Sequence, residues 1–156
     1  MPVTATPIFP QVPNQGTMNC ILSTAMTNTK ALDGTEAVGT ALALAFTAGA
    51  NGSRIDTIQL RYTATNGSTG TGTTAATVVR FWVNNGAANT TATNNKYIGE
   101  FAMPAQSVTA LATGSMPEYT LIIGRSIPAG YRIYAGTTVA AGGVLAFLVD
   151  TTGGDY

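Results

Sequence analysis

The sequence predicts an all-β protein: an antiparallel β-sandwich of about eight strands, jelly-roll-like, with an extended N-terminal arm. Three observations predict it. Short runs rich in Val, Ile, Thr and aromatic residues recur between positions 19 and 149, each bounded by Gly, Asn or Pro. No segment holds a 3.6-residue apolar period with caps at both ends, so little helix is expected. Pro2, Pro7, Pro10 and Pro13 are four of the seven prolines. Their spacing blocks helix and strand ladders and favours extended backbone.

The arm is residues 1–16 and the sandwich domain is residues 17–156. Val3, Ile8, Phe9 and Val12 are threaded between the prolines. A polar disordered tail rarely carries Ile8-Phe9 in such a setting; the alternative is a frayed terminus with incidental apolar residues. The arm is expected to lie on a surface, its own domain's or a neighbour's, and Ile8, Phe9 and Val12 are its contact residues.

The body is organised around residues 48–60, AGANGSRIDTIQL. Asn51-Gly52 tolerates positive φ and marks a reversal. The apolar runs on either side, 38–47 and 54–65, read as a hairpin-like core pair. In chain order the eight strands are 19–26, 38–47, 54–64, 76–83, 96–103, 118–123, 131–135 and 144–149. Asp33-Gly34, Asn84-Asn85-Gly86 and the IPAG of 127–130 supply turns. Residues 66–74, NGSTGTGTT, form a long loop, and 105–115 form either a connection or a short helical turn. TTGGDY at 151–156 reads as a short tail.

Composition points to assembly. At 156 residues the chain makes one domain with room for a core. Only 9% of it is charged, against roughly 25% in ordinary soluble domains. Seven basic residues balance seven acidic ones, so little electrostatic repulsion opposes association. The competing reading is a secreted β-domain with an uncharged polar surface. The strands add a second pointer. In 78–83, Val79, Phe81 and Val83 share one face, while Val78 and Trp82 lie on the other with Arg80. In 144–149 both faces are apolar. An antiparallel sandwich normally gives one face to water, so these second faces should meet a loop, an arm or another subunit. Trp82 is on that account a candidate contact residue, and a cyclic homotrimer is the expected assembly.

Several functions are disfavoured. The five arginines are scattered with no basic run, so no nucleic-acid partner is expected. Cys20 is the single cysteine. It can form neither an intrachain disulfide nor a cysteine zinc site. Beside Ile21 and Leu22 it reads as a core residue, with pairing across a symmetry axis as the alternative. No basic segment followed by an apolar one opens the chain, and the run at 41–46 is too short to cross a bilayer. No signal peptide or membrane partner is expected, and synthesis is expected in a host cytoplasm. Histidine is absent, which removes the Ser-His-Asp and Cys-His nucleophile systems. No local motif selects two of the seven carboxylates for glycosidase chemistry. Asp33 and Glu36 in DGTE read as turn residues and make a weak calcium signal. The glycine-rich runs lack the Lys-Ser/Thr of a phosphate-binding loop. We expect no enzyme activity, catalytic residue, cofactor or metal. Trp82, Tyr62, Tyr97, Tyr131 and Tyr134 could make a sugar platform, although packing is the default role of strand aromatics.

The stretches 46–56 (FTAGANGSRID), 78–83 (VVRFWV), 127–135 (IPAGYRIYA) and 153–156 (GGDY) resemble the small β-rich virion structural proteins of tailed bacteriophages. That resemblance spans most of the body. It implies a capsid decoration, or cement, protein on the capsid exterior. Such a protein binds the major capsid protein as a trimer and clamps neighbouring capsomers. The alternative within the virion is a tail, fibre or head-spike component that contacts a host-surface glycan.

Overall fold

The computed structural model of the protein describes residues 9–10, 12–17, 20–39, 41–64, 72–108, 118–141 and 145–156. Among these residues there are eleven strands: β1 (Val12–Asn14), β2 (Cys20–Leu22), β3 (Leu42–Thr47), β4 (Ser53–Ala64), β5 (Gly72–Thr73), β6 (Thr77–Asn84), β7 (Asn95–Met103), β8 (Ser107–Val108), β9 (Glu118–Ile127), β10 (Arg132–Thr137) and β11 (Leu145–Asp155). Helix is confined, among the described residues, to one α-turn, α1 (Lys30–Asp33), and one 3-10 turn (Ala92–Asn94). The protein is an all-β sandwich, as its sequence predicts.

The first sheet has the order β1-β11-β4-β9, with β2 sharing the β1 edge of β11. The second has the order β3-β10-β6-β7, and β5 and β8 form a separate two-stranded ribbon. All strand pairings are antiparallel. The core lies between the two sheets. Ile55, Ile58, Leu60, Phe147 and Val149 come from the first, and Phe46, Val79, Phe81, Ile133 and Ala135 from the second. Full burial of one such side chain contributes roughly 1.5–3 kcal/mol, so this layer is the main source of stability.

Three expectations change. Residues 38–47 and 54–65 do not form a hairpin. β3 pairs with β10 and β4 pairs with β11 and β9, so the Asn51-Gly52 turn carries the chain from one sheet to the other. The reversal itself is where expected: Gly52 has φ +88° and its N–H donates to the Gly49 carbonyl. A turn dipeptide fixes a change of direction, not the identity of the neighbour. Residues 151–155 are not a tail but the end of β11, paired with β4 through Asp155. Residues 12–14, assigned to the arm, form an edge strand on β11, with Val12 opposite Asp155 and Asn14 opposite Gly153. Pro13 is tolerated because β1 is at an edge, where a missing N–H breaks no inner ladder.

The apolar second face of the second sheet meets a loop of its own chain. Residues 25–38 cross that face as a strap. The strap is held by the Ala25–Thr137 bridge and by the Met26 N–H donating to the Thr137 carbonyl. Under it Met26, Ala31, Leu42, Trp82 and Tyr134 make a second, smaller core. Gly34, in the left-handed region at φ +72°, ends α1 as glycines do at helix C-termini.

Candidate interaction surface

The four residues expected at contacts have separate fates. Ile8 lies outside the described residues. Phe9 and Val12 are 76% and 60% exposed. Trp82 is 1% exposed and packs inside the protomer. Its placement on the second face of β6 is as expected, but the strap covers that face, so in this structure its role is core packing. Tyr62 and Tyr134 are also buried, and the Tyr62 hydroxyl donates to the Pro104 carbonyl at 2.7 Å.

Phe9 and Val12 are presented by a firmly held root. The Asn14 amide donates to the Thr47 carbonyl and to Asp155 Oδ1, at 3.2 and 2.8 Å. Asn14 Oδ1 accepts from the Gly16 N–H, and the Thr17 N–H donates to the Ala45 carbonyl. Pro10 covers Gly154, where a Cβ would stand 2.6 Å from the Pro10 Cβ. Pro10, Val12, Pro13, Asp56, Gly153 and Gly154 line a shallow cleft beside this root.

Asp155 is the centre of the arrangement. It accepts from Asn14, from the Gly49 N–H at 3.3 Å and from the fully buried Ser53 hydroxyl. Partial burial opposes its ionisation, but the hydrogen bonds from Ser53, Asn14 and Gly49 outweigh it and hold the carboxyl below the usual range. The sign follows. A depressed native value stabilises the fold above the unfolded pKa of about 3.9, and this is lost as pH falls through the native value. Asp155→Ala should therefore cost about 1 kcal/mol at pH 7, with solvent screening included. The gap to wild type should close on acidification below pH 4, as measured by urea denaturation at several pH values. A gap independent of pH would mean the carboxylate charge is not what holds the node.

Each of the other six carboxylates also has a partner. Asp33 accepts from the Thr35 N–H and hydroxyl. Glu36 is pulled down to about 2, chiefly by the Thr27 N–H and then by Lys30 and the Thr27 hydroxyl. Asp56 pairs with Arg54 at 2.7 Å, Glu100 with Arg80 at 2.9 Å and Glu118 with Arg61 at 2.9 Å, while Asp150 lies 3.9 Å from Arg61. Exposed pairs of this kind contribute little stability. Among the described residues no group of three or more His, Cys, Asp or Glu side chains could hold a metal. Cys20 is buried, and burial pushes its thiol up to about 12.

A second surface lies at the opposite edge of the first sheet. Among the described residues β9 pairs on one side only, with β4, and β7 on one side only, with β6. The two edge strands border a cleft of about 140 Å³ lined by Val83, Ile98, Leu121, Ile123, Ile127 and Ile133, among others. Ile122 points away from the core and is 81% exposed. Sequence reading missed this edge, and only the doubled apolar pair Ile122-Ile123, which breaks the alternation of 118–121, signalled it. It also missed the Asp155 node, whose partners are 141 and 102 residues away in sequence.

Comparison with known protein families, with curated proteins and with solved structures returned no match.

Proposed function

We propose that this protein is a non-enzymatic virion structural protein: a head decoration, or cement, protein that binds the outer capsid surface and stabilises the shell by clamping neighbouring capsomers. The observation that carries this reading is the strand order. Reading β2, β3, β4, β6, β7, β9, β10 and β11 as eight successive strands, the first and last, β2 and β11, are neighbours in one sheet, followed by β4 and β9. The other sheet runs β3-β10-β6-β7. This order supports a jelly-roll reading, a fold used by viral capsid and lectin domains. Fold alone does not assign a role. The charge-poor composition and the exposed Phe9 and Val12 on an anchored root favour the capsid role. Burial of Trp82, Tyr62 and Tyr134 leaves the glycan-binding alternative only the exposed Tyr97 and the half-buried Tyr131 of its five platform aromatics.

On this reading the partner is the major capsid protein, the working unit is a homotrimer and the location is the capsid exterior. Phe9 and Val12 bury apolar surface on the shell, and the oligomer multiplies modest contacts into avidity. Burying a Phe contributes roughly 1.5–3 kcal/mol, so Phe9→Ala should weaken binding of the protein to undecorated shells of its virion about 10- to 100-fold per site. Co-sedimentation over a concentration series measures it. Saturation of the shells by Phe9→Ala at wild-type concentrations would remove the arm from the mechanism. No binding by the wild-type protein would remove the decoration role.

A further inference from the structure

We infer that the edge of β9 left open among the described residues accepts the N-terminal segment of a second copy of this chain, residues 3–6 adding as a strand beside residues 118–123. Arm exchange between copies would then build the oligomer. The inference rests on the assembly component of the proposed function and not on the capsid.

The acceptor is a strand edge that has no partner among the described residues, beside an apolar opening. Extended peptides add to such edges through main-chain hydrogen bonds, and pockets for alternate side chains give specificity. The regular part of the β9 edge ends near Gly124, where φ is +54° and the β4–β9 register shifts. Beyond it Arg125 lines the cleft mouth. Bulges and inward-facing charges blunt an edge, so the edge open to pairing is residues 118–123. Ile122 and Ile123 lie on its two faces, and both border the cleft.

The occupant follows from the chain that precedes Phe9. Residues 3–6, Val-Thr-Ala-Thr, lie between Pro2 and Pro7 and all have backbone N–H groups. They carry no charge to desolvate. Added beside β9, Val3 and Ala5 fall on one face and Thr4 and Thr6 on the other. The first pair suits the apolar cleft, and the second suits the outer face that holds Thr120.

Distance selects a second copy over the protein's own edge. β1 and β9 occupy opposite edges of the sheet, three strand spacings apart, or about 14 Å. From Val12, which stands level with Ile127 across the sheet, six extended steps to residue 6 cover about 20 Å. A strand added outside β9 lies a fourth spacing away, about 19 Å in all, and its nearest position, beside Ile123, is about 10 Å further along the sheet, so the chain falls short even on a straight path. A head-to-tail contact of this kind closes into a ring when the rotation permits, consistent with a cyclic oligomer.

Two single-cysteine additions test it: Thr4→Cys in one preparation and Thr120→Cys in another, mixed, refolded together and oxidised. Buried Cys20 is a poor competitor. The expected result is a disulfide-linked two-chain product at least 10-fold above that from Thr4→Cys mixed with Asn85→Cys, an exposed loop control. Equal yields from the two mixtures overturn the inference. So does an intrachain disulfide in the Thr4→Cys/Thr120→Cys double variant at concentrations where the protein is a monomer. In parallel, Ile122→Lys should weaken self-association at least 10-fold by light scattering with an unchanged melting temperature, because Ile122 is exposed. Undiminished association, or a wild-type protein that is monomeric at tens of micromolar, also overturns it. A protein that exchanges arms but ignores undecorated shells would refute the decoration role alone. One that binds shells without the crosslink would refute the exchange alone.

Discussion

Trp82→Ala is expected to destabilise the protein by about 3–5 kcal/mol, the cost of truncating a buried large aromatic. In a domain of this size that lowers the melting temperature by about 10 °C. The site cannot collapse easily. The indole is 1% exposed and is held between a sheet and the strap. Met26, Ala31, Leu42 and Tyr134 surround it. Gly34 lies flat against the ring, where a Cβ would stand 2.8 Å from Cδ2. Polar ties around the strap fix the gap. The Arg80 guanidinium donates to the Ala31 carbonyl at 2.7 Å, and the Asn95 amide donates to the carbonyls of Asp33 and Gly34. Trp82→Phe is the informative companion. The indole N–H has no partner among the described residues, so Phe removes an unsatisfied donor while keeping much of the apolar volume. Its loss should be well under half that of Ala. Thermal and urea unfolding of both variants measure this. A Trp82→Ala protein with wild-type stability but defective assembly would return Trp82 to the role of a contact residue.

That reversal of Trp82's role shows where the sequence was legible. Alternation in 78–83 correctly put Val79, Phe81 and Val83 on one face and Trp82 on the other. What covered the second face could not be read, because the strap of residues 25–38 has no strong period of its own. Its helical content is one turn, Lys30–Asp33, too short for a pattern. Turn positions were legible for the opposite reason. Positive φ is a local demand, and Gly34, Gly52, Gly86 and Gly130 meet it at φ between +71° and +89°. Strand partners were not legible. β3 and β4 are adjacent in sequence and in different sheets, and the hydrophobic pattern of either strand would be the same in a hairpin. The Asp155 node was hidden because Asn14, Gly49, Ser53 and Asp155 come together only after the first sheet has formed.

Gly153→Ala should destabilise the protein by about 3 kcal/mol, the upper end of ordinary overpacking. Gly153 has no left-handed requirement. Its reason is space. It sits where the β4–β11 register shifts, opposite Ile55. A Cβ there would run into the Arg54 carbonyl oxygen, with the Arg54 carbonyl carbon and the Ile55 Cα each 3.1 Å away. All three are main-chain atoms of a strand paired on both sides, so no rotamer change relieves the clash. The neighbouring glycine makes the control. A Cβ on Gly154 would meet the Pro10 ring at 2.6 Å and the Val12 carbonyl oxygen at 3.0 Å, and both belong to the arm root at the sheet edge. Gly154→Ala should therefore lift the root and leave the ladder, giving faster proteolysis before residue 15 with a melting temperature within a few degrees of wild type. Two adjacent glycines would thus separate the two tasks of this strand, Gly153 closing the sandwich and Gly154 seating the arm. If Gly153→Ala melts like wild type, the β4–β11 shift is not as close as the main-chain geometry requires. If Gly154→Ala unfolds globally, the root is part of the cooperative core, and an arm that presents Phe9 cannot be released without losing the fold.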